Sequence, residues 1–98
     1  MPAMPHPLSE TEVAEALRTL DGWSVAAGKL HRRFKFKNFN EAFGFMTRVA
    51  LVAEKMDHHP DWSNVWNTVT VDLVTHSAGG ITPNDIDLAA RMNEIAAT

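Results

Sequence analysis

The first apolar residues of the chain repeat at the spacing of a helix. Ser9, followed three residues later by Glu12, matches a capping box, in which each side chain bonds the other residue's backbone N–H. Asp21-Gly22 is a typical helix stop. The apolar residues that share one face between these signals are Val13, Ala16, Leu17 and Leu20. The pattern therefore predicts a first helix.

The next segment alternates between apolar and polar residues, which is typical of strands. Trp23–Ala26 and Lys29–Lys37 predict a hairpin around a turn at Ala27-Gly28. Arg32 interrupts the alternation of the second strand, because its position falls on the apolar side. The apolar side of that strand carries Leu30, Phe34 and Phe36, and the polar side carries His31, Arg33, Lys35 and Lys37.

A longer helical stripe follows, and Asn38, with Glu41 three residues later, can cap its start. Phe45 and Val52 widen the stripe on one flank, so that apolar side chains cover nearly half of the helix. Such a wide arc indicates either a partner subunit or a well-buried central helix, and the pattern leaves both open. The stripe itself contains Phe39, Ala42, Phe43, Met46, Val49, Ala50, Ala53 and Met56.

The remaining pattern predicts a second hairpin and a last helix. Pro60 ends the central helix region and should hold His59 in an extended conformation. Asp61–Asn67 and Thr68–Thr75 read as strands, and residues 77–80 as a loop. A helix then starts at Thr82, with Pro83 at its first position and Asp85 at its third. Its apolar residues are Ile86, Ala89, Ala90 and Ile95.

The order helix, hairpin, helix, hairpin, helix predicts an α+β fold. We expect two layers, a four-stranded antiparallel sheet with three helices packed on one face, in a single domain over residues 1–98. Three prolines in residues 1–7 favour a flexible leader there. The absence of cysteine excludes disulfides and thiolate chemistry. No apolar run is long enough to span a bilayer and no signal peptide is recognisable, so we expect a cytoplasmic protein.

Charge argues against direct binding to nucleic acid. The formal net charge is −3, which does not favour contact with a phosphate backbone. The segment from His31 to Lys37 is a local exception, because it mixes cations with aromatic residues. It fits either a platform for single strands or, as we prefer, a half-exposed strand with a basic outer face.

Histidines supply the main candidate chemistry. His58 and His59 follow the central helix, and His76 ends the last strand, beside a loop. Strand ends that meet helix ends often form clefts, so these three imidazoles could serve one acid–base site. Each of them could instead be a surface residue, and a zinc site is a third interpretation. Asp85 has a ready role as a helix cap, and the tryptophans favour core positions.

At these residues the chain resembles the pterin-4a-carbinolamine dehydratases. The resemblance extends from about Leu8 to Ala96, and Trp23 stands at the place of that family's early tryptophan. Trp66 stands where many members have tyrosine, and Ser77 where some have glutamate. The segments that carry the resemblance are Glu54–Trp62, Thr75-His76, Gly80–Thr82 leading to Asp85, and Phe36–Met46.

The resemblance implies a hydro-lyase that eliminates water from 4a-hydroxytetrahydropterin, without metal or other cofactor, in recycling of the tetrahydropterin cofactor. His58 and His76 would then transfer protons, His59 would orient the pterin, and Asp85 would support the histidines. The substrate contacts implied are Trp23, Glu54, Asp57, His58, His59, Val74, Thr75, His76 and Ser77.

The resemblance also implies partners. It suggests a homodimer or homotetramer, and an aromatic amino-acid hydroxylase in the same pathway. An alternative is a protein-binding module that acts as a transcriptional cofactor through its helical face.

Overall fold

A computed structural model describes residues 6–98 of the chain. The described part contains three helices, α1 (Glu10–Leu17), α2 (Phe39–Met56) and α3 (Pro83–Ala96). Its four strands are β1 (Ser24–Ala26), β2 (Lys29–Lys35), β3 (Asp61–Val65) and β4 (Thr68–Leu73). Most of the leader segment predicted at residues 1–7 lies outside the described residues.

The strands form one antiparallel sheet in the order β1-β2-β4-β3, and the α+β prediction is confirmed. The central pair, β2 and β4, places Leu30 opposite Leu73 and Phe34 opposite Val69. These four side chains are at most 2% exposed and form the inner face of the sheet. Helical residues Val13, Phe45, Val49, Leu88 and Met92 belong to the same core cluster, so the helices cover this face.

All three predicted helix starts are confirmed. Ser9 and Glu12 form the predicted capping box of α1, and Asn38 accepts a hydrogen bond from the Glu41 N–H at the start of α2. Thr82 and Asp85 form a second capping box at α3, with Pro83 at the first position. These caps satisfy N–H groups that have no partner within the helix.

The buried face of α2 differs from the predicted stripe. Phe45, placed on the flank, is fully buried, whereas Phe39 and Phe43 are 49% and 54% exposed. The sheet covers only the face formed by Ala42, Phe45, Val49 and Ala53. The wide apolar arc is therefore not buried within one chain, which contradicts the interpretation of a fully buried central helix.

The second difference concerns α3 and the ends of two strands. Leu88 and Met92 are fully buried although the predicted stripe omitted them, while Ile86 and Ile95 are only partly buried. Strand β2 ends at Lys35 and β4 at Leu73, two residues before the predicted ends. Thr75 instead forms an isolated antiparallel bridge with Gly80. Among the described residues, no helix combines the length and the apolar character needed to cross a bilayer.

Candidate active site

His58 is positioned by an unusual end of α2. Asp57 adopts the left-handed conformation, with φ 53° and ψ 41°, and so turns the chain sharply after Met56. The His58 N–H then bonds the Ala53 carbonyl at 3.0 Å, which is the long-range bond of a Schellman motif. A residue with a side chain is less favourable here than glycine, so this turn stores local backbone strain next to the candidate site.

The turn aims the His58 side chain at the start of α3. His58 Nε2 lies 2.5 Å from Asp85 Oδ1, and the two side chains are 11% and 0% exposed. Asp85 was expected to be a helix cap or a support for the histidines, and its two oxygens divide these tasks. Oδ2 accepts the Thr82 N–H at 2.9 Å as part of the capping box, and Oδ1 faces His58.

A second hydroxyl reaches the same carboxylate. Thr75 Oγ1 donates to Asp85 Oδ2 at 2.9 Å and also contacts Thr82 Oγ1 at 2.7 Å. The antiparallel bridge between Thr75 and Gly80 turns the loop back and brings Thr75 and Thr82 together. Among residues 6–98, every buried side-chain nitrogen and oxygen has a hydrogen-bond partner.

His76 follows Thr75 directly and opens a short 3-10 turn over His76–Ala78. Its side chain is exposed, whereas Thr75 is 7% exposed. Two hydrogen bonds therefore connect the two histidine segments: His58 bonds Asp85, and Asp85 bonds Thr75, which is joined to His76 by a peptide bond. Thr75, the residue before His76, thus bonds the same carboxylate as His58 does.

His59 bonds to a different helix from His58. Its Nε2 lies 2.8 Å from Glu54 Oε1, and both side chains are largely exposed, at 59% and 80%. Glu54 thus orients His59 from the last turn of α2. His58 is fixed by a buried carboxylate, while His59 stands at the rim with an exposed one.

The other residues predicted to contact the substrate differ in burial and in the use of their backbone groups. Val74 is half-buried, and Asp57 and Ser77 are exposed at the edge of the site. The Thr75 N–H bonds the Gly80 carbonyl and the Thr75 carbonyl accepts the Gly79 N–H, so its backbone is used within the loop. The His76 carbonyl also accepts the Gly79 N–H, at 3.1 Å, so this segment is left with the His76 N–H and the backbone groups of Val74 and Ser77 to offer to a ligand.

Trp23 is placed elsewhere. It is 7% exposed, packs edge-on against Phe34 with ring centroids 5.9 Å apart, and donates to Asn93 Oδ1 at 2.8 Å. Asn93 is eight residues beyond Asp85 on α3, which is about 12 Å along the helix axis. Within one chain, the structure does not bring Trp23 to the histidine corner. Its position agrees with the core interpretation of the tryptophans.

The competing interpretations find different support. Within the described range 6–98, no group of three or more His, Asp or Glu side chains is arranged to hold a metal ion. On the basic strand, His31 lies 2.9 Å from Asp72 and Lys29 lies 3.9 Å from Asp61, so acidic neighbours offset part of its charge. The His58–Asp85 pair, a nearly buried imidazole beside a fully buried carboxylate, fits proton transfer.

Sequence reasoning missed Thr82 as part of this corner, except as a helix cap. Its contact with Thr75 depends on the bridge to Gly80, which no local pattern announces. The capping box was the one available signal, because it fixes the direction in which the Asp85 side chain points.

Comparisons with known proteins agree with this geometry. A family model described as pterin 4 alpha carbinolamine dehydratase matches residues 6–95. A relative from Afipia carboxidovorans, named pterin-4-alpha-carbinolamine dehydratase, is 62% identical over 92% of this chain and 92% of its own length. A relative of the same name from Solibacter usitatus is 57% identical over 92% of this chain and 95% of its own.

A solved structure extends the agreement to the fold. The crystal structure of a protein described as transcriptional coactivator/pterin dehydratase from Brucella melitensis superposes with a TM-score of 0.90. It is 54% identical in sequence, and the match covers 93% of this chain and 99% of that one. The chain therefore belongs to the pterin 4 alpha carbinolamine dehydratase family, a family of hydro-lyases.

Proposed function

We propose that this chain dehydrates 4a-hydroxytetrahydropterin by acid–base catalysis with histidines and so helps to recycle a tetrahydropterin cofactor. Family membership supports the reaction. The observation that carries the histidine mechanism is the His58–Asp85 pair, in which a nearly buried imidazole is held by a fully buried carboxylate. Such a carboxylate fixes the orientation of the ring and stabilises its protonated form.

The reaction requires two proton transfers and no net oxidation. The C4a–O bond breaks while the N5 lone pair forms a C4a–N5 double bond, and the oxygen leaves as water after it receives a proton. N5 then gives its proton to a base, which yields the quinonoid dihydropterin. Imidazoles titrate near neutral pH, so one can donate to the leaving oxygen while another accepts from N5.

The proposed roles are those that the family resemblance implies, and the contacts of His58 and His59 support them. His58 and His76 exchange protons with the substrate, from the two segments that Asp85 and Thr75 connect. His59, held by Glu54 at the exposed rim, orients the pterin. The His76 N–H and the backbone groups of Ser77 offer hydrogen bonds to the edge of the pterin ring.

We further propose that the chain works in the cytoplasm as a homodimer or homotetramer and serves an aromatic amino-acid hydroxylase of the same pathway. The exposed apolar residues on α2, Phe39, Phe43 and Leu51, support assembly of several copies.

The test is an assay that follows loss of the carbinolamine absorbance after a hydroxylase reaction. We expect the wild-type chain to accelerate this loss and the double variant His58→Ala, His76→Ala to lose about 10²–10⁴-fold in kcat/KM. The matched control is His31→Ala, since His31 also pairs with an aspartate, Asp72, but on the outer face of the sheet. A folded double variant with full activity would exclude the mechanism.

A second candidate function is a protein-binding module. It is favoured by the exposed phenylalanines of α2 and by the description of the Brucella protein as a transcriptional coactivator. Binding to the helical dimerisation segment of a transcription factor, lost in Phe43→Ser but retained in the double histidine variant, would support it. The converse pattern, with activity dependent on the histidines and no binding, would favour the dehydratase alone.

A further inference from the structure

Asp85 is surrounded by donors that are themselves ordered. Its oxygens receive the Thr82 N–H, the Thr75 hydroxyl and a nitrogen of His58. Thr75, Thr82 and Asp85 are 7%, 1% and 0% exposed, so water does not compete for these bonds. The N-terminus of α3 adds the positive end of the helix dipole. Asp85 Oδ2 thus accepts two hydrogen bonds, and an ionised carboxylate accepts through its other oxygen as well, because it has no proton to donate.

The direction of each hydroxyl then follows from the number of protons available. A threonine hydroxyl has one proton to donate. Thr75 gives its proton to Asp85, so in the 2.7 Å contact with Thr82 it must accept, and Thr82 must donate. Thr82 Oγ1 accepts in turn from the Asn84 N–H at 3.3 Å. The bonds form a series with one direction, from Asn84 through Thr82 and Thr75 to Asp85.

The same reasoning fixes the ring of His58. Since Asp85 Oδ1 can only accept, His58 Nε2 carries a proton in both charge states of the ring. In the neutral ring, Nδ1 is then the nitrogen without a proton. It is the atom of His58 that can take a proton from a substrate and return it.

We propose that Thr75 and Thr82 are positioning residues, whose hydroxyls, donating in series, hold Asp85 as an acceptor and thereby keep the exchangeable proton of His58 on Nδ1. This inference rests on the proposed function for its kinetic consequences only. Neither hydroxyl touches the reacting atoms, and each acts through Asp85. Removing one hydroxyl leaves Asp85 Oδ2 with fewer bonds to hold it, so the carboxylate is free to turn and its hold on His58 Nε2 weakens.

Nitrogen NMR of the histidine rings tests the proposal without substrate. Long-range ¹⁵N–¹H spectra distinguish a protonated ring nitrogen from a bare one, and the signals lost in His58→Gln assign this residue. We expect a neutral wild-type His58 with the proton on Nε2. A wild-type ring protonated on Nδ1 would overturn the proposal, whether or not any variant folds.

Variants then test the hydroxyls. In Thr82→Val and Thr75→Val we expect the single set of His58 ring signals to be lost, with part of the neutral ring carrying its proton on Nδ1. We expect kcat to fall about tenfold in these variants, with KM within about twofold of the wild-type value. Thr82→Ser, which keeps the hydroxyl, should restore both.

The control separates this effect from the loss of a helix cap. Ser9→Ala removes the corresponding hydroxyl from the capping box of α1, which has no bond to a histidine. It should destabilise the fold but leave the His58 signals unchanged. If both valine variants keep the wild-type ring signals and kcat, the proposal is wrong. If the chain shows no dehydratase activity while the ring signals respond as expected, the proposed function fails and the positioning of His58 stands.

Discussion

Arg32 is a polar residue on the apolar side of β2, and its hydrogen bonds connect separate segments at the edge of the core. Its position pairs with Val71, so its side chain enters the helical side of the sheet. There Nη1 donates to the Asp21 carbonyl and to Asn93 Oδ1, each at 2.6 Å, and the guanidinium lies 4.2 Å from the Phe34 ring centre. Burial lowers the pKa of Arg32, and Asp21 opposes that shift.

Gly22 is the residue that this arrangement constrains most. It has φ +85°, and a Cβ at this position would lie 2.7 Å from Arg32 Cζ. We expect Gly22→Ala to lower the free energy of unfolding by about 1–2 kcal/mol because of the backbone conformation. Displacement of the guanidinium should lower it by about as much again. Urea unfolding measures this change.

The matched control is Gly28→Ala. Gly28 also has a positive φ, +77°, but an added Cβ there meets no atom within 4 Å. Gly28→Ala should therefore lower the free energy of unfolding only by the amount that the backbone conformation accounts for. Equal losses in the two variants would show that the Arg32 contacts do not constrain Gly22.

At the scale of elements, the helix starts are the best-predicted features of the molecule. Each depends on residues only three positions apart, so the signal and its structural result are local. In α1 the Glu12 carboxylate accepts the Ser9 N–H at 2.9 Å. The hydrogen bond from the Ser9 backbone, and then that from its side chain, lower the pKa of Glu12 below its ordinary value of 4.5.

This shift predicts how stability depends on pH. The pKa of Glu12 is lower in the folded chain than in the unfolded one. The ionised carboxylate therefore contributes fully to the stability of the fold above about pH 4.5, and this contribution is lost as the pH falls through the folded pKa. We compare the wild type with Glu12→Gln, which keeps an acceptor but cannot ionise. The gap between their thermal midpoints should be constant near neutral pH and close in acid. A gap independent of pH would contradict the predicted role of the carboxylate.

Elements that meet through distant residues were harder to predict. The apolar stripe of α2 was right in its period, but the face turned to the sheet could not be read from spacing alone. Phe45 is buried and Phe43 is exposed because the sheet covers only one side of the helix. The polar partners of Trp23 and Thr75 depend likewise on contacts between separate elements, with Trp23 and Asn93 70 residues apart. The histidine segments themselves were predictable, since each follows the end of an element.

At the scale of the whole molecule, apolar side chains are exposed near the start of α2. Phe39 and Phe43 contact each other there, with ring centroids 5.6 Å apart. They border a groove of about 510 Å³ that Phe36, Thr47 and Ala96 also line. Exposed aromatic rings of this kind are typical of surfaces that other chains cover.

Assembly can be tested at this surface. We expect Phe43→Glu to reduce the assembly size measured by sedimentation velocity, because a charge would have to be buried against the partner. Val25→Glu is the control, since Val25 is similarly exposed, at 47%, but lies on β1. An unchanged sedimentation coefficient in Phe43→Glu would place the interface elsewhere.

The bond between His58 and Asp85 joins positions 27 residues apart, and Asp85 belongs to the last helix. During synthesis, the imidazole therefore leaves the ribosome well before the carboxylate that is to hold it. A nascent chain that has made its whole sheet still has an untethered His58. The His58–Asp85 pair forms only when α3 docks, so a product cut short before α3 would lack the pair even where β1 to β4 had formed.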